Sequence, residues 1–290
     1  MKLIITGGTG FLGKRLIRQL KENNHTIFNY DIIDGYDILN TEQLEKIFID
    51  FKPDSIIHLA ACSDLNIYAE KPEISYKINV IGTRNILNLC NKYYVRLLFG
   101  STCCCYGNND THPTDENSPT CPTEPYAKSK KESEKEILEI GLPHCCMRLA
   151  TFYGPEMRAA LAPAVFIDKI HNDKTVEIHG TGEQTRTFTY VDDIVSGIIT
   201  IIENKPTYSI INVTTEETVS VIEIIDYIKN ITGKNITSVN VTDREGQIFK
   251  EVILSARLKS LGWEPKTNFK EGIRKSYDYY INNNNSWCNN

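Results

Sequence analysis

Residues 6–13, TGGTGFLG, join a short apolar run, KLIIT, to a helical pattern, GFLGKRLIRQLKEN. Three glycines at these offsets leave few folds open. Gly7 permits a tight turn, Gly10 lets a phosphate approach the backbone, and Gly13 lets the helix pack on the strand. Phe11 and Leu12 fill the first helical turn between them. Strand, turn and helix in this order place a pyrophosphate at a helix N-terminus. Asp31 closes the next apolar run, HTIFNYD, 18 residues past Gly13. A carboxylate there bonds adenosine ribose hydroxyls and repels the extra phosphate of NADP, so the expected cofactor is NAD.

Short apolar runs then alternate with helical patterns. TEQLEKIFIDF ends at Pro53, and SIIHLAA and VRLLFGS flank the helical stretch SYKINVIGTRNILNLCNKYY. EPYAKSKKESEKEILEIG leads into HCCMRLA. This rhythm predicts βαβ units and an α/β, doubly wound parallel sheet of the Rossmann type. After Gly154, scattered prolines and shorter elements predict a smaller C-terminal α/β substrate lobe. The expected division is a nucleotide-binding domain over 1–153, with elements of about 188–213 returning to its sheet. The lobe takes 154–187 and 214–282, and the polar stretch 283–290 is expected to be a frayed tail.

With 290 residues, 41% hydrophobic and 24% charged, the chain has ordinary globular composition. A net charge of −5 gives no basic footprint for nucleic acid or an anionic membrane. MKLIIT stops being apolar at Gly7, too early for a secretory signal, and no apolar run is long enough for a membrane span. The nine cysteines lack zinc-type spacing, and neighbours such as 103–105 and 145–146 make a poor chelate. No metal is expected, and free thiols in the cytoplasm are.

YAKSK sets Tyr126 and Lys130 four residues apart, on one face of a helix. In order along the chain stand TGGTGFLG, Asp37-Ile38, HLAA, Asn79 in NVIGT, STCCCYG and YAKSK. RLATFYGP, GTGEQTRTFTYVDD and LGWEPK follow. That series, running along nearly the whole chain, resembles the extended short-chain dehydrogenase/reductase family, in particular its NAD-dependent nucleotide-sugar epimerases and dehydratases.

The resemblance implies Tyr126 as catalytic acid/base, Lys130 on the nicotinamide ribose, and Thr102 bridging substrate and tyrosine. A phenol needs nearby positive charge to act near neutrality, here expected from Lys130 and the oxidised cofactor. It implies a cofactor pocket of Gly7, Gly10, Phe11, Leu12, Gly13, Asp31, Asp37, Ile38, Leu59, Ala60, Ala61 and Asn79, beside Tyr126 and Lys130. Substrate contacts fall on Thr102, Tyr126, Thr151, Arg186 and Arg244. Thr151 replaces the family's usual asparagine, and Glu251 takes the position that gates N-acetyl sugars.

After the bridging hydroxyl, 4,6-dehydratases of this family carry Asp-Glu, and this chain has Cys103 and Cys104. An elimination without those carboxylates lacks its proton shuttle. Cys103 is then either packing around Thr102 or, as in epimerase-reductases such as GDP-fucose synthase, a group that moves protons. The expected activity is a nucleotide-sugar 4-epimerase acting on UDP-glucose and UDP-galactose. The alternative is an NAD(P)H-dependent reductase or epimerase-reductase of a 4-keto-6-deoxy sugar nucleotide. The expected assembly is a homodimer through the helices at about 78–92 and 126–140, where Ile78, Ile81, Ile86 and Leu89 suit an interface or a core-facing stripe.

Overall fold

The computed structural model describes residues 1–63, 67, 70–107, 113–243 and 249–287. The first half runs β1 (Lys2–Thr6), α1 (Phe11–Glu22), β2 (Thr26–Tyr30), α2 (Thr41–Phe51), β3 (Ser55–His58) and α3 (Pro72–Tyr76). A π-helical turn over Lys77–Gly82 leads into α4 (Thr83–Tyr93), then β4 (Arg96–Thr102). A 3-10 turn over Cys103–Tyr106 precedes α5 (Pro125–Glu139) and β5 (His144–Leu149). The rest is β6 (Thr151–Tyr153), α6 (Ala162–His171), β7 (Val176–His179), β8 (Thr185–Tyr190), α7 (Val191–Asn204) and β9 (Ile210–Val213). β10 (Thr218–Ser220), α8 (Val221–Thr232), β11 (Ser238–Val241), α9 (Ala256–Lys259) and α10 (Phe269–Asn282) close it.

Every residue of β1 after Lys2 is buried, as befits a strand covered on both faces. It lies inside a six-stranded sheet ordered β2-β1-β3-β4-β5-β9, with every pairing parallel. Side chains alternate between two cores. Leu3, Ile5, Leu98 and Cys145 pack with Leu16 of α1 and Ile194 and Ile198 of α7. Ile4, Leu97, Phe99 and Cys146 pack with Leu44 and Phe48 of α2, Ile86 and Leu87 of α4, and Ile137 of α5. Cys145 and Cys146 thus face opposite layers, which rules them out as a chelate. Ile86 and Leu89 belong to the second core, so that stripe of α4 faces inward.

The lobe holds a three-stranded sheet, β10-β8-β6, and a parallel pair, β11-β7, around a third core. Of the elements around 188–213, α7 and β9 join the main domain. Phe188–Tyr190 instead end β8, which pairs with Thr151–Tyr153 of β6. Trp287 is buried: its ring packs 4.9 Å from Tyr280 and its indole N–H donates to Ala164 O at 3.2 Å. An aromatic anchor therefore holds the polar 283–287 stretch down. The strand order turns at β1, so the loops leaving β1, β3 and β4 share one crevice at the carboxyl edge of the sheet.

Candidate active site

Pro125 opens α5, and Tyr126 and Lys130 follow one turn apart. Lys130 is buried, donates from Nζ to Gly100 O at 2.8 Å, and sits 4.6 Å from the centre of the Phe99 ring. Burial pulls its ammonium down to about 8, against Cys105 and Glu134. Burial pushes the Tyr126 phenol above its usual value, and the neighbouring Cys104 and Cys105 add to that. Arg158 opposes the rise with its positive charge, and its Nη1 donates to Ser63 O at 3.2 Å.

Thr102 ends β4, and its Oγ1 accepts from Cys104 N at 3.2 Å, capping the 3-10 turn. That turn sends the three thiols apart. Cys103 donates to Arg148 O at 3.3 Å and Cys105 to Ala127 O at 3.7 Å, while Cys104 stays partly open toward Tyr126. Burial raises all three, Cys104 to about 11 and Cys105 to about 12. Among the described residues, no cluster of His, Cys, Asp or Glu could hold a metal ion.

The glycine loop fits a dinucleotide. Gly7 has φ +71°, and a Cβ on it would lie 2.7 Å from Ala60 N. A Cβ on Gly13 would meet Gly7 O at 2.4 Å, whereas one on Gly10 would find only Gly7 O, at 3.3 Å. Phe11 and Leu12 begin α1, whose first turn carries no acid, so its positive end is open to an anion. Asp31 is buried, and its carboxylate accepts from Thr9 N and Ile33 N, both at 3.0 Å. Asp37 Oδ1 accepts from Leu39 N at 2.9 Å, and Ile38 is buried against Gly82.

Past β3, Leu59, Ala60 and Ala61 are half-buried, and Ala60 N donates to Thr6 Oγ1 at 3.2 Å. The Asn79 side chain accepts from Cys62 N at 2.8 Å and donates to Cys62 O at 3.0 Å and Ser129 Oγ at 3.1 Å. Ser129 Oγ in turn donates to Tyr126 O at 2.7 Å. Behind these, His58 lies 2.6 Å from Thr6 Oγ1 and 2.9 Å from Thr83 Oγ1. Because Thr83 donates to Asn79 O, it accepts from His58 Nε2–H, which makes Nδ1 the acceptor from Thr6. Burial, helped by the Lys130 charge, holds His58 neutral down to about 3.

On the substrate side, Thr151 of β6 stands opposite Phe188 of β8, two residues from Arg186. Arg186 Nη1 donates to Thr185 O at 2.8 Å. Glu251 accepts from Thr187 N at 3.0 Å, and burial raises its carboxyl against the nearby Arg186. Ile253, two residues on, packs with Cys103, Tyr106 and Ala150. Arg244 lies outside the described residues.

Residues 3–214 match the model of the NAD dependent epimerase/dehydratase family. The chain belongs to that family. A putative UDP-glucose 4-epimerase of Methanocaldococcus jannaschii is 31% identical, over 97% of this chain and 99% of that protein. A bovine dTDP-D-glucose 4,6-dehydratase is 29% identical, over 99% and 91%. The crystal structure of Thermotoga maritima UDP-glucose 4-epimerase with UDP-glucose superposes with a TM-score of 0.91 at 29% identity, covering 98% of this chain and 99% of that one.

The chain is thus an NAD-dependent enzyme of the extended short-chain dehydrogenase/reductase type, with the fold its glycine loop and strand rhythm predict. The glycine loop, Asp31, the 59–62 loop and Asn79 gather at the carboxyl edge of the sheet, where a dinucleotide would fit. Four residues around the site received no role from the motifs. Ser129 and Glu134 lie within a charged helix, where spacing from Tyr126 and Lys130 was the available signal. His58 lay in a buried strand, and Arg158 in a turn without periodicity.

Proposed function

We propose that this protein is a nucleotide-sugar 4-epimerase interconverting UDP-glucose and UDP-galactose through a 4-keto intermediate. The observation that carries this reading is the pair Cys103 and Cys104 beside an intact Thr102, Tyr126 and Lys130. Both thiols are raised by burial and stay protonated at neutral pH, and neither is a carboxylate able to drive an elimination. Cys103 also directs its S–H to the Arg148 carbonyl, away from the role a reductase of 4-keto sugars would give it. What remains is oxidation and reduction at one carbon.

In this reading Tyr126 removes the C4 hydroxyl proton, directly or through Thr102, whose Oγ1 is left a proton to donate once it accepts from Cys104 N. The glycine loop, Asp31 and Lys130 would hold NAD, which would supply the reversible hydride chemistry at C4. Lys130 keeps positive charge beneath the phenolate, and Arg158 adds a second cation at the rim. Arg186, Thr151 and Arg244 hold the nucleotide diphosphate, and Glu251 borders the sugar.

The same reading takes the assembly as a homodimer through the outer faces of α4 and α5, where Leu138 stands exposed beside the Arg84–Glu136 ion pair. It places the enzyme in the cytoplasm, in keeping with eight described cysteines that are all free thiols. Among the described residues, no helix is long and apolar enough to cross a membrane.

The deciding experiment is a proton NMR time course with UDP-galactose and no added reductant. The UDP-glucose anomeric signal is expected to grow to a constant ratio, and Tyr126→Phe is expected to slow it by at least about 10²-fold with NAD still bound. A flat spectrum from folded, NAD-loaded protein would overturn the sugar assignment. An unchanged rate in the variant would overturn the role of Tyr126.

A further inference from the structure

Beneath the catalytic residues lies a buried ion pair that the chemistry above does not use. Glu134 of α5 is fully buried, and Arg148 of β5 donates to both its oxygens, Nε at 2.9 Å and Nη2 at 2.8 Å. Ser101 Oγ donates to the same carboxylate at 2.6 Å, and Lys131 Nζ reaches it at 3.1 Å. Among the described residues Arg148 meets no second acid: its guanidinium lies 4.7 Å from the Tyr106 ring centre, and its Nη1 is buried without a partner there. Two buried charges are costly to desolvate, and a well-packed apolar pair often serves stability as well. Their position points to a use beyond folding.

Glu134 stands one helical turn beyond Lys130 on α5, and both reach the end of β4. Lys130 bonds the Gly100 carbonyl and Glu134 bonds Ser101, so two rungs clamp the strand immediately before Thr102. A third tie runs from Cys103 to the backbone of Arg148 itself. We propose that Glu134, held by Arg148, is a positioning residue that keeps Lys130 charged and sets where Thr102 stands against Tyr126.

The surroundings of Lys130 support this. Facing it are the Phe99 ring and Gly100 carbonyl of β4, Cys105 of the 3-10 turn and His58 of β3, with Glu134 of its own helix one turn away. Cys105, raised to about 12, and His58, lowered to about 3, are both neutral at working pH. Burial works against the Lys130 charge, and Glu134 is the ionised group acting in its favour among the described residues. Glu134 stays ionised because Arg148, Ser101 and Lys131 together outweigh its own burial, and it in turn helps keep the nearby Cys105 and Cys146 thiols protonated. A lone formal charge one turn away, at an effective dielectric near 20, is worth about one to two pH units on the ammonium. The Arg148 charge bonded to Glu134 cancels much of it, leaving about half a unit.

The inference rests on catalysis at Tyr126 and not on which sugar is turned over, and its test has a readout free of substrate. NAD-loaded protein labelled with ¹⁵Nζ-lysine is titrated by NMR, and the pH profile of kcat is recorded alongside. Glu134→Gln strands a buried arginine and threatens the fold, so the working variant is Glu134→Gln with Arg148→Met, which removes both charges. The Lys130 titration is expected about half a unit lower, since both charges of the pair go, with the high-pH limb of kcat moving by the same amount. A folded double variant in which both stay within ~0.2 units overturns the charge role.

Ser101→Ala cuts one neutral rung and leaves the ion pair, so its fold does not depend on the double variant. It is expected to lower kcat about tenfold with KM and the Lys130 titration unchanged. A kcat within about twofold of the parent overturns the positioning role. Should the parent fail to turn over UDP-galactose, the sugar assignment falls while the lysine titration still decides the charge role.

Discussion

At the scale of single residues, His58 shows how a polar group survives in the core. Both its nitrogens are bonded, to Thr6 and Thr83, and it is fully buried in neutral form. The unfolded chain protonates this ring below about 6.5, whereas the folded chain resists until about 3. Between those values the unfolded state binds the extra proton, so stability is full above about 6.5 and falls as pH drops toward 3. Each unit of that gap is worth about 1.4 kcal/mol per group. Urea unfolding at pH 7 and pH 5 is expected to show the loss, and His58→Gln, which keeps a donor toward Thr83, is expected to shrink it. An equal loss in the variant would assign the acid sensitivity elsewhere.

Tyr126, Lys130 and the glycines were legible at this scale because each belongs to a spacing that chemistry enforces. Glu134 was not, because in KKESEKE it is one of several like residues. Its inward face emerges only when the helix is docked on β4.

At the scale of elements, the turn after β4 carries the most consequence. Gly107 closes it at φ +60°, and a Cβ there would fall 1.7 Å from Cys121 O. Cys121 N also donates to Tyr106 O at 3.2 Å, so the two segments are knit at this point. Relief requires the backbone of 121–122 to move, and with it the approach to α5. Gly107→Ala is expected to destabilise the protein by about 2–4 kcal/mol, seen as a lowered Tm in the NAD-loaded form. A variant with unchanged Tm would show that the 121 segment yields freely.

Sequence periodicity located most helices and strands through β5, together with α7 and β9, since apolar runs and helical stripes are local signals; the short elements of the lobe were left unplaced. It read 75–94 as one helix and missed the π-helical turn at 77–82, where Asn79 faces the crevice. Inserting one extra residue per turn leaves no mark on composition. It also sent residues 188–190 toward the main sheet, because their pairing with 151–153 depends on how the lobe packs.

At the scale of the whole molecule, Arg15 ties the nucleotide-binding domain to the 155–156 turn of the lobe. From α1 it donates Nη1 to Asp192 at 3.1 Å and Nη2 to Pro155 O at 2.8 Å, with Glu156 3.8 Å away. Phe11, next to the glycine loop, stacks on Phe152 with ring centres 5.7 Å apart. These contacts orient the 155–158 turn that carries Arg158 over Tyr126. Arg15→Ala is expected to raise KM for the sugar nucleotide about three- to tenfold while leaving NAD content unchanged. Equal losses of both would mean that Arg15 supports the fold at large.

The return of β9 to the main sheet also governs how the chain comes into being. On the ribosome, β5 is complete long before residues 210–213 emerge, and its outer edge must wait through the synthesis of much of the lobe. During that interval HCCMRL presents unpaired backbone groups along an apolar strand with two cysteines, the kind of edge that recruits other chains. The nascent protein is therefore most exposed to aggregation and thiol oxidation midway through translation. A chain stopped before 210 is expected to stay soluble only with a chaperone on that edge.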